Sequence, residues 1–179
     1  ARIGGPGSEF FRDVSGAGLG AMLLSLAVYS LASLGTFAAL AWLSGPAGEI
    51  EKIGQLAGLA RTRPLAAAAL AVFMFSFMGI PLLAGFAGKL ALFTGTANLA
   101  LNSSSEAAVW FWALAIGGAL NAAIGAAYYL RVVGVMFFQP VPQTAPAAAG
   151  GWGPQAAALT CMVLVLFAGG LIVARFDAV

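Results

Sequence analysis

The chain contains no histidine and a single cysteine, Cys161. Imidazole acid–base catalysis and histidine metal ligation are therefore excluded. One thiol can neither close an internal disulfide nor build a thiolate metal site, and Cys161 lies in an apolar run, where a small buried filler is its expected role. Charge is scarce: Asp, Glu, Lys and Arg make up 8% of the 179 residues, where a soluble domain carries roughly 25%. A net charge of +2 provides no footprint for nucleic acid as a partner. The lack of charge also excludes a disordered chain, and the 24 glycines follow no collagen period.

Apolar residues are what the sequence has instead. They make up 61% of it, and the mean hydropathy is +0.98. Such a chain cannot cover a surface with polar groups, which leaves an integral membrane protein in contact with the lipid bilayer. The expected fold class is all-α, a polytopic membrane helix bundle. The letters Gly16-Ala17-Gly18-Leu19-Gly20-Ala21 match a dinucleotide fingerprint, but no strand–helix–strand context surrounds them, so they carry no cofactor.

The few charges divide the chain. A spanning helix needs about 20 apolar residues, and the uncharged stretches predict four transmembrane segments at about 19–44, 64–98, 107–138 and 154–174. Residues 1–18 read as an N-terminal loop or a fusion scar, 139–153 as an irregular linker and 175–179 as a tail. Between the first two spans, Ile50, Ile53, Leu56 and Leu59 share one face of a predicted interfacial helix at about 49–60.

The second span is too long for one straight helix. At 1.5 Å per residue it would run about 52 Å, against a hydrocarbon core of about 30 Å. Gly79, Pro81 and Gly85 cluster in its middle. Proline removes a backbone donor and glycine adopts conformations that other residues resist. A discontinuous helix broken near 79–84 is expected, with a kinked continuous helix as the competing reading. Non-helical backbone at membrane depth persists only where protein or water satisfies it, so this segment belongs inside a bundle, near a pathway.

Lys89 is the one ionisable group well inside a hydrophobic stretch. A charge at a helix centre costs about 2.5–3.5 kcal/mol on insertion scales, and no carboxylate shares its segment. An amine whose charged and neutral forms are brought close in free energy can take up and release a proton; the alternative is a lysine that snorkels to the interface. Supporting candidates lie on the other spans. Ser25, Tyr29, Ser33 and Thr36 share a face of the first, suited to gluing helices or to lining water. Ala113, Gly117, Asn121 and Gly125 form a small-residue face on the third, continued by Tyr128 and Arg131. Arg131 reads as an interfacial anchor or a pathway residue. Tyr29, Ser33, Asn121, Tyr128 and Arg131 are the possible pathway or support residues around Lys89.

These segments resemble a known family. Leu34-Gly35-Thr36-Phe37-Ala38, Gly58-Leu59-Ala60-Arg61 with Arg63-Pro64, Gly79-Ile80-Pro81-Leu82-Leu83-Ala84-Gly85-Phe86-Ala87-Gly88-Lys89 and Ala127-Tyr128-Tyr129-Leu130-Arg131-Val132-Val133 occur in order. The chain is similar over residues 19–138 to the C-terminal portion of the N subunit of respiratory complex I, the antiporter-like, proton-translocating NADH–quinone oxidoreductase. The resemblance implies a broken helix whose lysine, Lys89, belongs to the proton path. M-type sister subunits carry glutamate there, so Gly-Lys with Tyr-Tyr-Leu-Arg indicates the N type. A single Pro81 stands where many relatives have two. It further implies a translocase subunit with no redox chemistry, metal or cofactor on this chain, NADH and quinone being used by the whole complex. The implied partners are the other membrane subunits and the missing N-terminal helices of the same subunit, in a bacterial inner membrane. A multisubunit sodium/proton antiporter or membrane-bound hydrogenase subunit of the same ancestry, or a purely structural membrane anchor, are the alternatives.

Overall fold

A computed structural model describes residues 18–44, 48–81, 83–102, 105–141 and 151–177. The expected loop or scar at the N-terminus, apart from Gly18, and most of the 139–153 linker lie outside the described residues. The regular elements among the described residues are all helical: α1 (Gly18–Leu43), a 3-10 turn (Ile53–Leu56), α2 (Leu59–Thr62), α3 (Pro64–Met78), α4 (Ala84–Asn102), α5 (Ser105–Phe138) and α6 (Trp152–Asp177). The final helix runs on to Asp177 rather than giving way to a tail after 174.

Three helices among the described residues are long and apolar enough to cross a membrane, lying within α1, α5 and α6. Four spans were expected. The region of the expected second span holds two helices, α3 of 15 residues and α4 of 19 residues. At 1.5 Å per residue α3 is only about 22 Å long. It starts favourably, because Pro64 occupies the first turn, where its missing N–H would be unpaired in any case.

The bundle closes around α3, which contacts α1, α5 and α6 as well as α4. Ala66, Ala67, Ala69, Leu70 and Phe73 are all buried. Small residues let neighbouring backbones approach, the main source of attraction between helices in lipid. Gly35 of α1 uses this freedom fully: a methyl group there would overlap the buried ring of Phe73.

The 49–60 region corrects the expectation of a single amphipathic helix. Gly58 adopts φ +67°, a left-handed conformation that ends a helical path, and only the 3-10 turn and the short α2 form around it. The expected apolar face exists but packs inward. Leu56 and Leu59 are buried in a cluster with Trp42, Leu70 and Met136, and Ile50 and Ile53 pack against it. The Gly58 N–H donates to the Val135 carbonyl at 3.3 Å, fastening the segment to α5. It thus seals one end of the bundle.

The small-residue face of α5 is open in this chain over most of its length. Ala113, Gly117 and Asn121 are exposed. The close approach of α4 falls one residue along, at Gly118, where a Cβ would lie 2.9 Å from the Phe93 ring.

Candidate functional site

The break between α3 and α4 follows from backbone hydrogen-bond accounting. Helix α3 ends at Met78, and Gly79 turns left-handed at φ 82°, ψ 49°. The Ile80 N–H returns to the Phe75 carbonyl at 3.2 Å and the Gly79 N–H to the Ser76 carbonyl at 3.1 Å. This pair of bonds closes a Schellman-type terminus and satisfies two of the last carbonyls. The next carbonyl, that of Phe77, would take its helical bond from residue 81, but Pro81 has no N–H to give.

Lys89 supplies the missing donor. Its Nζ donates to the Phe77 carbonyl across the break. The side chain reaches there from the second turn of α4, over the bare Cα of Gly79, where a Cβ would stand 3.1 Å from Lys89 Cδ and 3.4 Å from its Nζ. The two half-helices can come this close because Gly85 lies against Ser76; a methyl group at Gly85 would overlap the Ser76 carbonyl oxygen. The ammonium therefore sits at the C-terminal end of α3, the negative pole of that helix, where a cation is favoured.

Two cavities meet at Lys89. The smaller, about 270 Å³, lies between α1, α3 and α4 and is lined by Ser25, Tyr29, Ser76, Gly85 and Lys89 among others. The larger, about 550 Å³, opens toward α5 and is lined by Asn121, Gly125, Tyr128 and Tyr129. Tyr29, Phe77 and Lys89 line both and so form the boundary between them. The boundary is aromatic: the Phe77 ring lies 5.1 Å from that of Tyr29 and 5.5 Å, stacked, from that of Tyr129. Tyr128 meets Tyr129 edge-on at 6.1 Å.

Lys89, Ser25, Tyr29, Asn121, Gly125 and Tyr128, all singled out in the sequence, thus gather here. Gly79, Pro81 and Gly85 form or flank the break. Ser33 and Arg131 line neither cavity, and Arg131 is exposed. The α1 stripe divides in the same way: Ser25 and Tyr29 face the site, whereas the Thr36 hydroxyl returns to the Ala32 carbonyl at 2.8 Å. Phe77, Ser76 and Tyr129 were not anticipated. Phe77 was legible, since it stands four residues before Pro81 and must lose its helical donor. Tyr129 adjoins Tyr128 and continues the same α5 surface. Nothing local marks Ser76. Cys161 is partly buried against a core cluster, with no role at this site.

Comparison with known proteins yields a consistent set of likenesses. The family model described as NADH:quinone oxidoreductase/Mrp antiporter, TM, matches residues 14–117. NADH-quinone oxidoreductase subunit N of Granulibacter bethesdensis is 44% identical over 124 residues, covering 69% of this chain and 24% of that protein. Its counterpart in Rhodospirillum rubrum is 35% identical over 159 residues, covering 89% and 29%. A chain of respiratory complex I from Thermus thermophilus with bound aureothin superposes with a TM-score of 0.65 at 30% identity, over 84% of this chain and 32% of that one. The chain spans about a quarter of the length of the curated relatives it matches. With more than half of the sequence matched, this chain belongs to the NADH:quinone oxidoreductase/Mrp antiporter transmembrane family, and the relatives it is similar to are N subunits.

Proposed function

We propose that this chain is part of a proton-translocating membrane subunit of an NADH–quinone oxidoreductase, and that Lys89 takes up and releases the proton. One observation carries the reading: the Lys89 ammonium bridges a broken helix to a carbonyl that Pro81 leaves free, on the boundary between two cavities. A proton arriving from one cavity is held on nitrogen by the Phe77 carbonyl and the end of α3. Withdrawal of the side chain from that carbonyl removes the support for the charged form, and the proton leaves toward whichever cavity is then hydrated. Tyr29, Asn121 and Tyr128 offer hydroxyl and amide groups that donate and accept hydrogen bonds along the way. Redox chemistry with NADH and quinone is assigned to other parts of the complex, and the remaining helices of the subunit and other membrane subunits are the partners. The relatives named above are bacterial, which supports the inner membrane as its location.

The test is proton translocation measured against electron-transfer rate in vesicles bearing the complete complex. Lys89→Ala keeps assembly and lowers transfer through this path on the order of 10²-fold, the contribution of one positioned proton-transfer group. Lys89→Arg impairs it as well, because guanidinium stays charged and cannot cycle. Full pumping by both variants overturns the reading and leaves the chain a structural anchor. Sodium/proton antiport through the same site is the second reading, favoured by a family description that spans both activities; dependence of transport on sodium separates the two.

A further inference from the structure

The end of the bundle where α1 stops and α3 starts holds a cavity separate from the two at Lys89. It measures about 300 Å³, and its lining combines the apolar Leu43, Leu56 and Leu59 with the polar Gln55, Thr62 and Arg63. Leu43 is the last residue of an apolar span, and the chain beyond it carries Glu49, Glu51, Lys52, Arg61 and Arg63. The cavity therefore lies where hydrocarbon gives way to water, at the level of the lipid headgroups.

Its chemistry selects an anion. Arg63 is the one charged residue among those that line it, whereas Glu49 and Glu51 are exposed and do not line it. Gln55 Oε1 accepts from the N–H groups of Glu51 and Lys52, both at 2.8 Å. This commits the acceptor of the Gln55 amide, so what the side chain has left to offer is its NH2 donors. Arg63 also precedes α3, whose first turn has no acidic residue and no side-chain cap, so the positive pole of that helix adds to the attraction. The guanidinium fork matches the spacing of phosphate oxygens.

Size and surroundings narrow the ligand further. Pockets for small ligands measure about 300–1,000 Å³, so this one takes a headgroup and not a whole lipid. Leu65, two residues on from Arg63, is an exposed apolar side chain against which an acyl chain can lie. We propose that this cavity binds the phosphodiester headgroup of an anionic phospholipid. Arg63 and the Gln55 amide donate to the phosphate oxygens, and Leu43, Leu56 and Leu59 lie against the glycerol. Basic pockets between helices at the membrane surface suit such headgroups, because anionic lipids are concentrated there. The site is independent of the reading of Lys89.

The experiment uses the complete complex in phosphatidylcholine nanodiscs doped with a phosphatidylglycerol whose headgroup carries a photoreactive diazirine. A parallel sample carries the same diazirine on phosphatidylcholine. After illumination, adducts on residues 50–63 are quantified by peptide mass spectrometry. Phosphatidylglycerol is expected to label this segment and the choline lipid to label it far less. Arg63→Gln should lower the labelling about tenfold, the loss of one charge-assisted pair. Gln55→Glu is the sharper variant. It keeps the acceptor for the N–H groups of Glu51 and Lys52 but replaces the donor with a negative charge, so labelling should fall at least as far while the turn is retained. The electron-transfer rate reports that each variant has assembled. Equal labelling by the two lipids overturns the proposal, as does labelling indifferent to both variants. Loss of the adduct on adding millimolar inorganic phosphate overturns the lipid as occupant and assigns the cavity to the free anion. Absence of any adduct, as when a neighbouring polypeptide fills the cavity, overturns it as well.

Discussion

Phe77 serves Lys89 through both its backbone and its side chain. Its carbonyl accepts from the ammonium, while its ring, between those of Tyr29 and Tyr129, closes the space between the cavities. Gly79 makes that arrangement possible, because any side chain there would lie in a left-handed conformation and against the lysine. A non-glycine residue in that region costs about 1–2 kcal/mol. Gly79→Ala should therefore lower the thermal stability of the purified protein by about that amount. It should also reduce proton translocation beyond what the stability loss explains, because its Cβ would stand 3.1 Å from Lys89 Cδ. Unchanged translocation in a destabilised Gly79→Ala protein would remove Gly79 from the functional geometry. The site therefore depends on a missing side chain as much as on a present one.

Among the elements, the pair α3 and α4 is set apart by a single backbone donor. Pro81 has no N–H for the Phe77 carbonyl, and this vacancy gives the lysine its partner. Pro81→Ala restores a competing donor four residues on. The substitution should draw the α3 terminus further along the chain, weaken the bond between Lys89 and Phe77 and lower translocation severalfold, with electron transfer retained. A structure of the variant with Lys89 still on the Phe77 carbonyl, together with normal pumping, would show that Gly79 alone maintains the break. The short segment before α3 illustrates the opposite case. Its apolar residues share a face, but that face packs into the core instead of lying in the interface plane, and Gly58 at φ +67° prevents one helix from presenting it, so the chain delivers Leu56 and Leu59 through two short turns.

At the scale of the molecule, α5 is the exposed member of the bundle. None of its spanning window is buried, and Trp110, Leu120 and Ile124 are among the large apolar side chains it leaves uncovered. In lipid, large apolar side chains need no cover, whereas small residues gain from close helix packing. Ala113 and Gly117 are such residues, and nothing lies within 4 Å of the position a Cβ would take at Gly117. A Gly117→Cys protein with Cys161→Ala should react with a membrane-permeant thiol reagent when this chain is isolated in detergent. The same position in the complete assembly should be protected at least about tenfold, as a site in a packed interface excludes reagent and solvent alike. Equal reactivity in both states would mean that this face meets lipid in the assembly too.

Composition alone sets the class of the protein. Without charge to cover a surface, 61% apolar composition leaves a membrane bundle as the stable outcome. Residue type also favours the break over a kinked continuous helix, since proline and glycine act through their own backbone chemistry, and spacing singles out Lys89 as the lone charge in its stretch. These are local properties, carried by residue type and spacing. Where the lysine ends follows from packing, because the Phe77 carbonyl is reached by a fold-back of α4 against α3 that depends on contact between Gly85 and Ser76. Packing alone brought Ser25, Ser76 and Tyr129 to the site and left Ser33 and Arg131 outside it. Residues on one helical face share a direction, but which of them meets a cavity depends on where the neighbouring helices cross, and those crossings are fixed by packing among distant segments.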